Sequence, residues 1–187
     1  MTELIFVPGF GGSGPSHWQS LWEDLYPSTR RIQPASWEQP ELADWIAALE
    51  SAVRECAGPP MLVAHSLGCL LVAFWAQHSS LPIIGAFLVA VPDPSTPGFK
   101  DSAPTFGNVP AAPLRFPSLI VVSTSDPFDA NGYAIAKARD WKSDVCSIGD
   151  RGHINGESNL GDWKFGQSLM ASFILKCAPS KSTSQPI

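Results

Sequence analysis

Short apolar runs alternate along this chain with longer stretches in which apolar side chains recur every third or fourth position. The short runs fit buried strands, and the longer pattern fits helices with one apolar face. Leu4–Pro8, Met61–His65, Ile84–Val91 and Ser118–Ser123 read as central strands, and Asp144–Ile148 as a last strand at an edge. Arg30–Gln33 is a candidate for a short second strand. Between them, helices are predicted over Ser16–Leu25, Glu41–Cys56, about Leu67–His78, about Gly132–Trp141 and about Asp162–Lys176. In the second of these, Leu42, Trp45, Ile46, Leu49 and Val53 fall on one face. Strands that alternate with helices in this way predict an α/β fold, its mostly parallel central sheet covered on both faces.

Two segments break the pattern. Residues 92–117 hold seven prolines and little periodicity, which predicts an ordered loop or cap. The end of the chain, residues 177–187, is polar and proline-containing, and is expected to be a disordered tail after a single domain over residues 1–176.

Composition narrows the function classes. A chain of 187 residues with 44% apolar positions can form one core without covalent staples. The net charge of −5 comes from interspersed acids and bases, and no Lys/Arg cluster is present to neutralise phosphates, which argues against nucleic-acid binding. Cys56, Cys69, Cys146 and Cys177 are far apart and show no zinc-site spacing, so no metal is implied. No apolar run is long enough to span a membrane, and the chain enters a strand within three residues of Met1 with no basic leader region. Reduced thiols and a cytoplasmic location are the expectation.

Ala64-His65-Ser66-Leu67-Gly68 joins an apolar strand to a helical pattern. A strand that reverses into a helix within one residue holds that residue in a strained conformation and projects its side chain above the sheet. Ser66 is therefore the candidate nucleophile, with the helix N-terminus beside it to favour developing negative charge. The competing reading is an N-cap serine, and Ala64 stands where the common pattern has glycine.

A serine hydroxyl needs a base within hydrogen-bond reach. His153 lies in the glycine-bearing loop Gly149–Asn155, after the last strand and before the last helix. His17, His65 and His78 read as surface or packing residues; His65 is adjacent to Ser66, and side chains around a sharp turn diverge. The acid that orients the base is expected to be Asp126, rigidly placed where the strand 118–123 ends, with Asp129 and Asp150 as second choices. The chain order serine, acid, histidine supports the assignment.

The first strand runs into Gly9-Phe10-Gly11-Gly12-Ser13-Gly14. No lysine follows as a phosphate loop requires, and the dinucleotide-binding glycine spacing is not met, so no cofactor is implied. The loop is read as supplying an oxyanion-binding N–H from Phe10, paired with that of Leu67, with Gly11 as the alternative to Phe10.

With these pieces placed, the chain resembles the retinoblastoma-binding-protein-9/YdeN family of small serine hydrolases, within the α/β-hydrolase superfamily. The resemblance covers about residues 3–175. It rests on Pro8–Gly12 followed by His17-Trp18, on Trp37, Pro40 and Trp45, on Ala64–Gly68, on Ser123–Pro127 and on Gly152–Asn155. It implies a compact three-layer fold without a large lid domain and a Ser66–His153–Asp126 triad. The LxCxE retinoblastoma-binding motif of one animal member is absent, so that partner is not implied.

Hydrolysis of small carboxylic esters, amides or thioesters through an acyl-enzyme on Ser66 is the leading expectation, with a small-molecule substrate as the partner. A catalytically silent binding protein and a small-peptide peptidase are the alternatives. Trp18, Trp37, Phe128 and the Phe99/Phe106 loop are candidates to line a substrate pocket, each with core packing as its competing role.

Overall fold

The computed structural model of the chain describes residues 2–129 and 131–177. Six strands form one sheet: β1 (Leu4–Val7), β2 (Thr29–Arg31), β3 (Met61–His65), β4 (Gly85–Val89), β5 (Ser118–Val122) and β6 (Asp144–Ser147). They lie in the order β2-β1-β3-β4-β5-β6, and every neighbouring pair is parallel. Parallel neighbours require crossovers, and the intervening helices α1 (Trp18–Leu25), α2 (Leu42–Arg54), α3 (Leu67–His78), α5 (Tyr133–Trp141) and the final α6 (Lys164–Cys177) cover the sheet. The proline-rich segment adds only the one-turn α4 (Phe99–Ser102) and a 3-10 turn at Pro104–Phe106.

Strand side chains alternate between the two faces, and the core divides accordingly. Ile5, Val7, Leu62, Ala64, Leu88 and Ile120 pack with residues of α2, α3 and α5 on one face. Leu4, Phe6, Met61, Val63, Phe87 and Val121 pack with α1 and α6 on the other. The central strands β3, β4 and β5 are buried along their whole length, as parallel strands covered on both sides must be. The edges are polar. Arg30 on β2 pairs with Glu3 and Glu55, Arg31 pairs with Glu23, and β6 is largely exposed.

Element ends shift where caps decide them. The helix after the glycine loop begins at Trp18 rather than Ser16, because His17 is extended and its Nδ1 accepts the Gln19 N–H at 3.1 Å. The last helix begins at Lys164, two residues later than expected, because Trp163 adopts a left-handed φ of 42°. Cys177 belongs to that helix, and the rest of the expected tail lies outside the described residues.

Candidate active site

Ser66 stands at the turn between β3 and α3 with φ 53° and ψ −124°, a conformation that favours glycine. Neighbouring structure holds it there. The Ser66 N–H donates to the Val89 carbonyl at 2.9 Å, and the Ser66 carbonyl accepts the Cys69 N–H at 2.8 Å. Gly68 lets α3 cross the end of β1: a Cβ there would fall 2.1 Å from the Val7 carbonyl oxygen. Gly9 gives the first loop the same freedom, since its Cβ would lie 2.8 Å from that of Ser66. The turn therefore depends on close backbone approach at both of its flanks.

Three side chains meet above it. Ser66 Oγ lies 2.8 Å from His153 Nε2, and His153 Nδ1 lies 2.9 Å from both Asp126 carboxylate oxygens. The His153 and Asp126 side chains are 9% and 2% exposed. In this geometry Asp126 accepts from Nδ1–H, leaving Nε2 to accept the serine proton. Asp126 Oδ1 also accepts the Phe128 N–H at 2.9 Å, which fixes its rotamer. The second-choice acids stand elsewhere. Asp129 accepts the Ala134 N–H at the start of α5, and Asp150 accepts from the Ser125 hydroxyl.

The loop bearing His153 is tied from several sides. Ser123 Oγ accepts the Arg151 N–H at 2.9 Å, and Ser125 Oγ accepts the Gly152 N–H at 3.0 Å. Trp18 Nε1–H donates to the Ile154 carbonyl at 2.8 Å, where Ile154 itself is fully buried at φ 49°. His65 Nε2–H donates to the His153 carbonyl at 2.9 Å. Burial pushes the His65 imidazole well below its ordinary pKa, with the neighbouring His153 and His17 adding to the effect, so it stays neutral.

His65 and His17, expected at the surface or in packing roles, are both buried beside the site. The His17 ring meets that of His65 at 4.7 Å between centroids, and His65 meets His153 at 4.9 Å. Desolvation lowers the His17 pKa to about 4, with Arg31 and His153 contributing.

The glycine loop separates its N–H groups. Gly11 N–H donates to the Trp37 carbonyl at 2.9 Å and Gly12 N–H to the Gly9 carbonyl at 3.1 Å. Gly11, the alternative oxyanion donor, is thus engaged. The Phe10 and Leu67 N–H groups have no acceptor among the described residues.

A cleft of ≈ 520 Å³ opens over Ser66 and His153. Phe10 and Phe128 stand at it, 47% and 43% exposed, and the Phe128 ring lies 4.5 Å from that of His153. Phe99, with Pro92 and Pro97, lines the same side. Three candidate pocket aromatics take the competing packing role instead. Trp18 is fully buried against Trp22 and Trp163, and its indole supports the His153 loop instead. Trp37 lies over Gly12 and edge-on to Trp45, outside the cleft wall. Phe106 is buried against Trp45 and Phe74 and anchors the proline-rich segment. A larger open depression of ≈ 970 Å³ lies against Asp93–Gly98 and Tyr133; it shares Thr96, Pro97 and Gly98 with the cleft but is not lined by Ser66.

A parallel sheet in this order, with a serine at the sharp turn after β3 and a histidine loop following the last strand, defines the α/β-hydrolase class. The chain belongs to the serine hydrolase family, whose model matches residues 4–172, and within it to the YdeN-like hydrolases. A YdeN-like hydrolase from Pectobacterium atrosepticum is 32% identical over 96% of this chain and 94% of its own, with a TM-score of 0.85. The ydeN gene product of Bacillus subtilis shares 18% identity over 94% of this chain and 100% of its own, with a TM-score of 0.75. A thermophilic esterase from Thermogutta terrifontis, at 14% identity over 96% and 91% of the two chains and a TM-score of 0.70, shares the fold. No curated protein matches the chain in sequence.

Proposed function

We propose that this hydrolase cleaves small carboxylic esters, with Ser66, His153 and Asp126 as its catalytic triad. The observation that carries the reading is the continuous hydrogen-bonded chain from Ser66 Oγ through His153 to Asp126, beside two unengaged N–H groups. Ser66 Oγ attacks the substrate carbonyl while its proton passes to His153 Nε2. The carbonyl electron pair moves onto oxygen, and the Phe10 and Leu67 N–H groups stabilise that oxyanion; such donors are each worth about 2.7–4 kcal/mol. The bond to the leaving oxygen then breaks as His153 returns its proton to that oxygen. Water repeats the sequence on the acyl-Ser66 intermediate, releasing the acid.

The compact cleft and its half-exposed phenylalanines favour short acyl groups. Activity on 4-nitrophenyl esters should fall steeply beyond butyrate, and a preference for long chains would contradict the proposed size. The same reading takes residues 1–176 as one domain, supported by the single continuous sheet. It also places the protein in a reducing compartment, the cytoplasm, supported by the four free cysteines.

The deciding experiment is labelling with a fluorophosphonate, on wild type and Ser66→Ala, with mass spectrometry of the adduct. One adduct on Ser66, lost in the variant, is expected. Folded wild-type protein that takes no label would overturn the reading in favour of a non-catalytic binding protein.

A further inference from the structure

Gln19 is the one polar residue that α1 buries. The other buried side chains of that helix are Trp18 and Trp22, and Gln19 is as completely enclosed, at 0% exposed. A primary amide taken out of water destabilises the fold unless both of its ends find partners. Here both do. Gln19 Nε2–H donates to the Val63 carbonyl at 2.9 Å, and Gln19 Oε1 accepts the Ser13 hydroxyl at 2.6 Å. The Val63 carbonyl can only accept, which fixes the orientation of the amide.

This bridge joins the two segments that carry the proposed oxyanion donors. Val63 lies on β3, the strand that leads directly into Ser66 and Leu67. Ser13 lies at the far end of the glycine loop that begins with Gly9 and Phe10. Gly9 sets the near end of that loop against Ser66. At the far end Ser13 is buried and held by three side chains: its hydroxyl by Gln19, and its carbonyl by the Ser20 hydroxyl at 2.8 Å and by Arg31 Nη1 at 2.9 Å. Ser20 and Arg31 tie it to α1 and β2. Of the three, only Gln19 reaches the strand that carries the serine.

The arc between these anchors has little stiffness of its own. Gly11 and Gly12 adopt left-handed φ of 73° and 69°, where glycine moves most freely, and the Phe10 side chain is half-exposed. The Gly11 N–H reaches the Trp37 carbonyl, and the Gly12 N–H folds back on Gly9. The direction of the Phe10 N–H therefore depends on where the two ends of the arc are fixed.

We infer that Gln19 is a positioning residue, which fixes the glycine loop against β3 and so holds the Phe10 N–H beside that of Leu67 in the geometry a tetrahedral oxyanion requires. It touches no substrate atom. The inference rests on the serine-hydrolase reading above, and it names the side chain that keeps the oxyanion site preorganised.

Gln19→Met keeps the length of the side chain and removes both polar ends, whereas Ser13→Ala cuts the bridge only at the loop. Turnover of 4-nitrophenyl butyrate is measured per active site, counted by fluorophosphonate labelling carried to completion. Acylation and deacylation both pass through an oxyanion, so kcat should fall about ten- to a hundredfold in Gln19→Met with KM little changed. Ser13→Ala should shift kcat in the same direction, and the double variant should be within about twofold of Gln19→Met alone, because both substitutions break one bridge. Butylboronic acid adds to Ser66 Oγ as a tetrahedral anion, and its inhibition constant should rise by the factor that kcat/KM falls.

A merely structural role would lower the urea midpoint and the labelled fraction but leave kcat per labelled site unchanged, and that result would overturn the inference. So would a rise in KM at constant kcat, or boronate affinity equal to wild type in a variant with reduced kcat. Should Gln19→Met fail to fold by circular dichroism, Ser13→Ala decides: unchanged kcat and boronate affinity in that variant would overturn the inference. Wild type that labels on Ser66 while both variants match it overturns this inference and leaves the hydrolase reading standing; wild type without labelling or turnover overturns both.

Discussion

His65 Nε2 lies 2.9 Å from the carbonyl oxygen of His153, so the residue immediately before the proposed nucleophile supports the loop that holds the proposed base. The contact bridges two segments that each carry one reacting group, and it ties their separation to a buried, neutral imidazole. His65→Leu leaves that carbonyl without its donor. We expect kcat to fall by about ten- to a hundredfold with KM little changed, because a small misplacement of His153 weakens proton transfer more than binding. Rescue of kcat by His65→Gln, which restores an N–H donor, would separate positioning from general destabilisation; steady-state kinetics on 4-nitrophenyl acetate check both.

Asp126→Asn keeps the shape of the acid and its acceptor for the Phe128 N–H, but it can donate to His153 Nδ1 and so favours the wrong tautomer. A loss of about ten-thousandfold in kcat is expected at neutral pH, with unchanged circular dichroism. Activity within tenfold of wild type would place the acid elsewhere.

Gly68→Ala should be among the most damaging single-methyl additions in the chain. The new carbon would meet two backbone carbonyls, those of Val7 at 2.1 Å and Pro8 at 2.6 Å, and neither can rotate away. A stability loss of about 3 kcal/mol, read from the urea midpoint, is expected. The variant should also lose fluorophosphonate reactivity, since relief of the clash moves Ser66.

Stability should decline below pH 6.5. The His17 pKa is lowered from 6.5 to about 4 by burial, by Arg31 and by His153, and that of His65 lies in the same direction. The unfolded chain therefore binds protons that the folded one does not, and stability present above pH 6.5 is lost as pH falls toward 4. His17 alone accounts for about 3 kcal/mol over that window. His17→Asn should flatten the dependence of the urea midpoint on pH, while an unchanged slope would assign the dependence to other groups.

Much of the layout was legible because it is written locally. The strands β3, β4 and β5 are unbroken apolar runs, and Ser66 was identifiable because a strand, a turn and a helix follow one another within a few residues. Asp126, rather than Asp129 or Asp150, stands beside His153, and a residue leaving a buried strand has little freedom to stand elsewhere. What escaped depends on neighbours remote in sequence. The His65–His153 contact spans 88 positions, and the Trp18 bond to Ile154 spans 136. Neither leaves a periodic trace, so the sequence offers for His65 only a surface or packing role, and for Trp18 a choice between pocket and core. Phe106 takes its packing role for the converse reason: it sits in a segment without periodicity, yet its ring completes the core between Trp45 and Phe74. Ser123 and Ser125 carry a further signal, two hydroxyls just before Asp126 that both hold the opposite loop.

The left-handed backbone of Ser66 has a consequence for how this protein can be improved. Holding a side-chain-bearing residue there costs on the order of 1–3 kcal/mol, and glycine would relax most of it. Ser66→Gly should therefore melt above wild type while doing no chemistry. The proposed nucleophile is thus also one of the chain's weakest positions for folding, so screens that select thermostability alone will tend to erase the proposed activity.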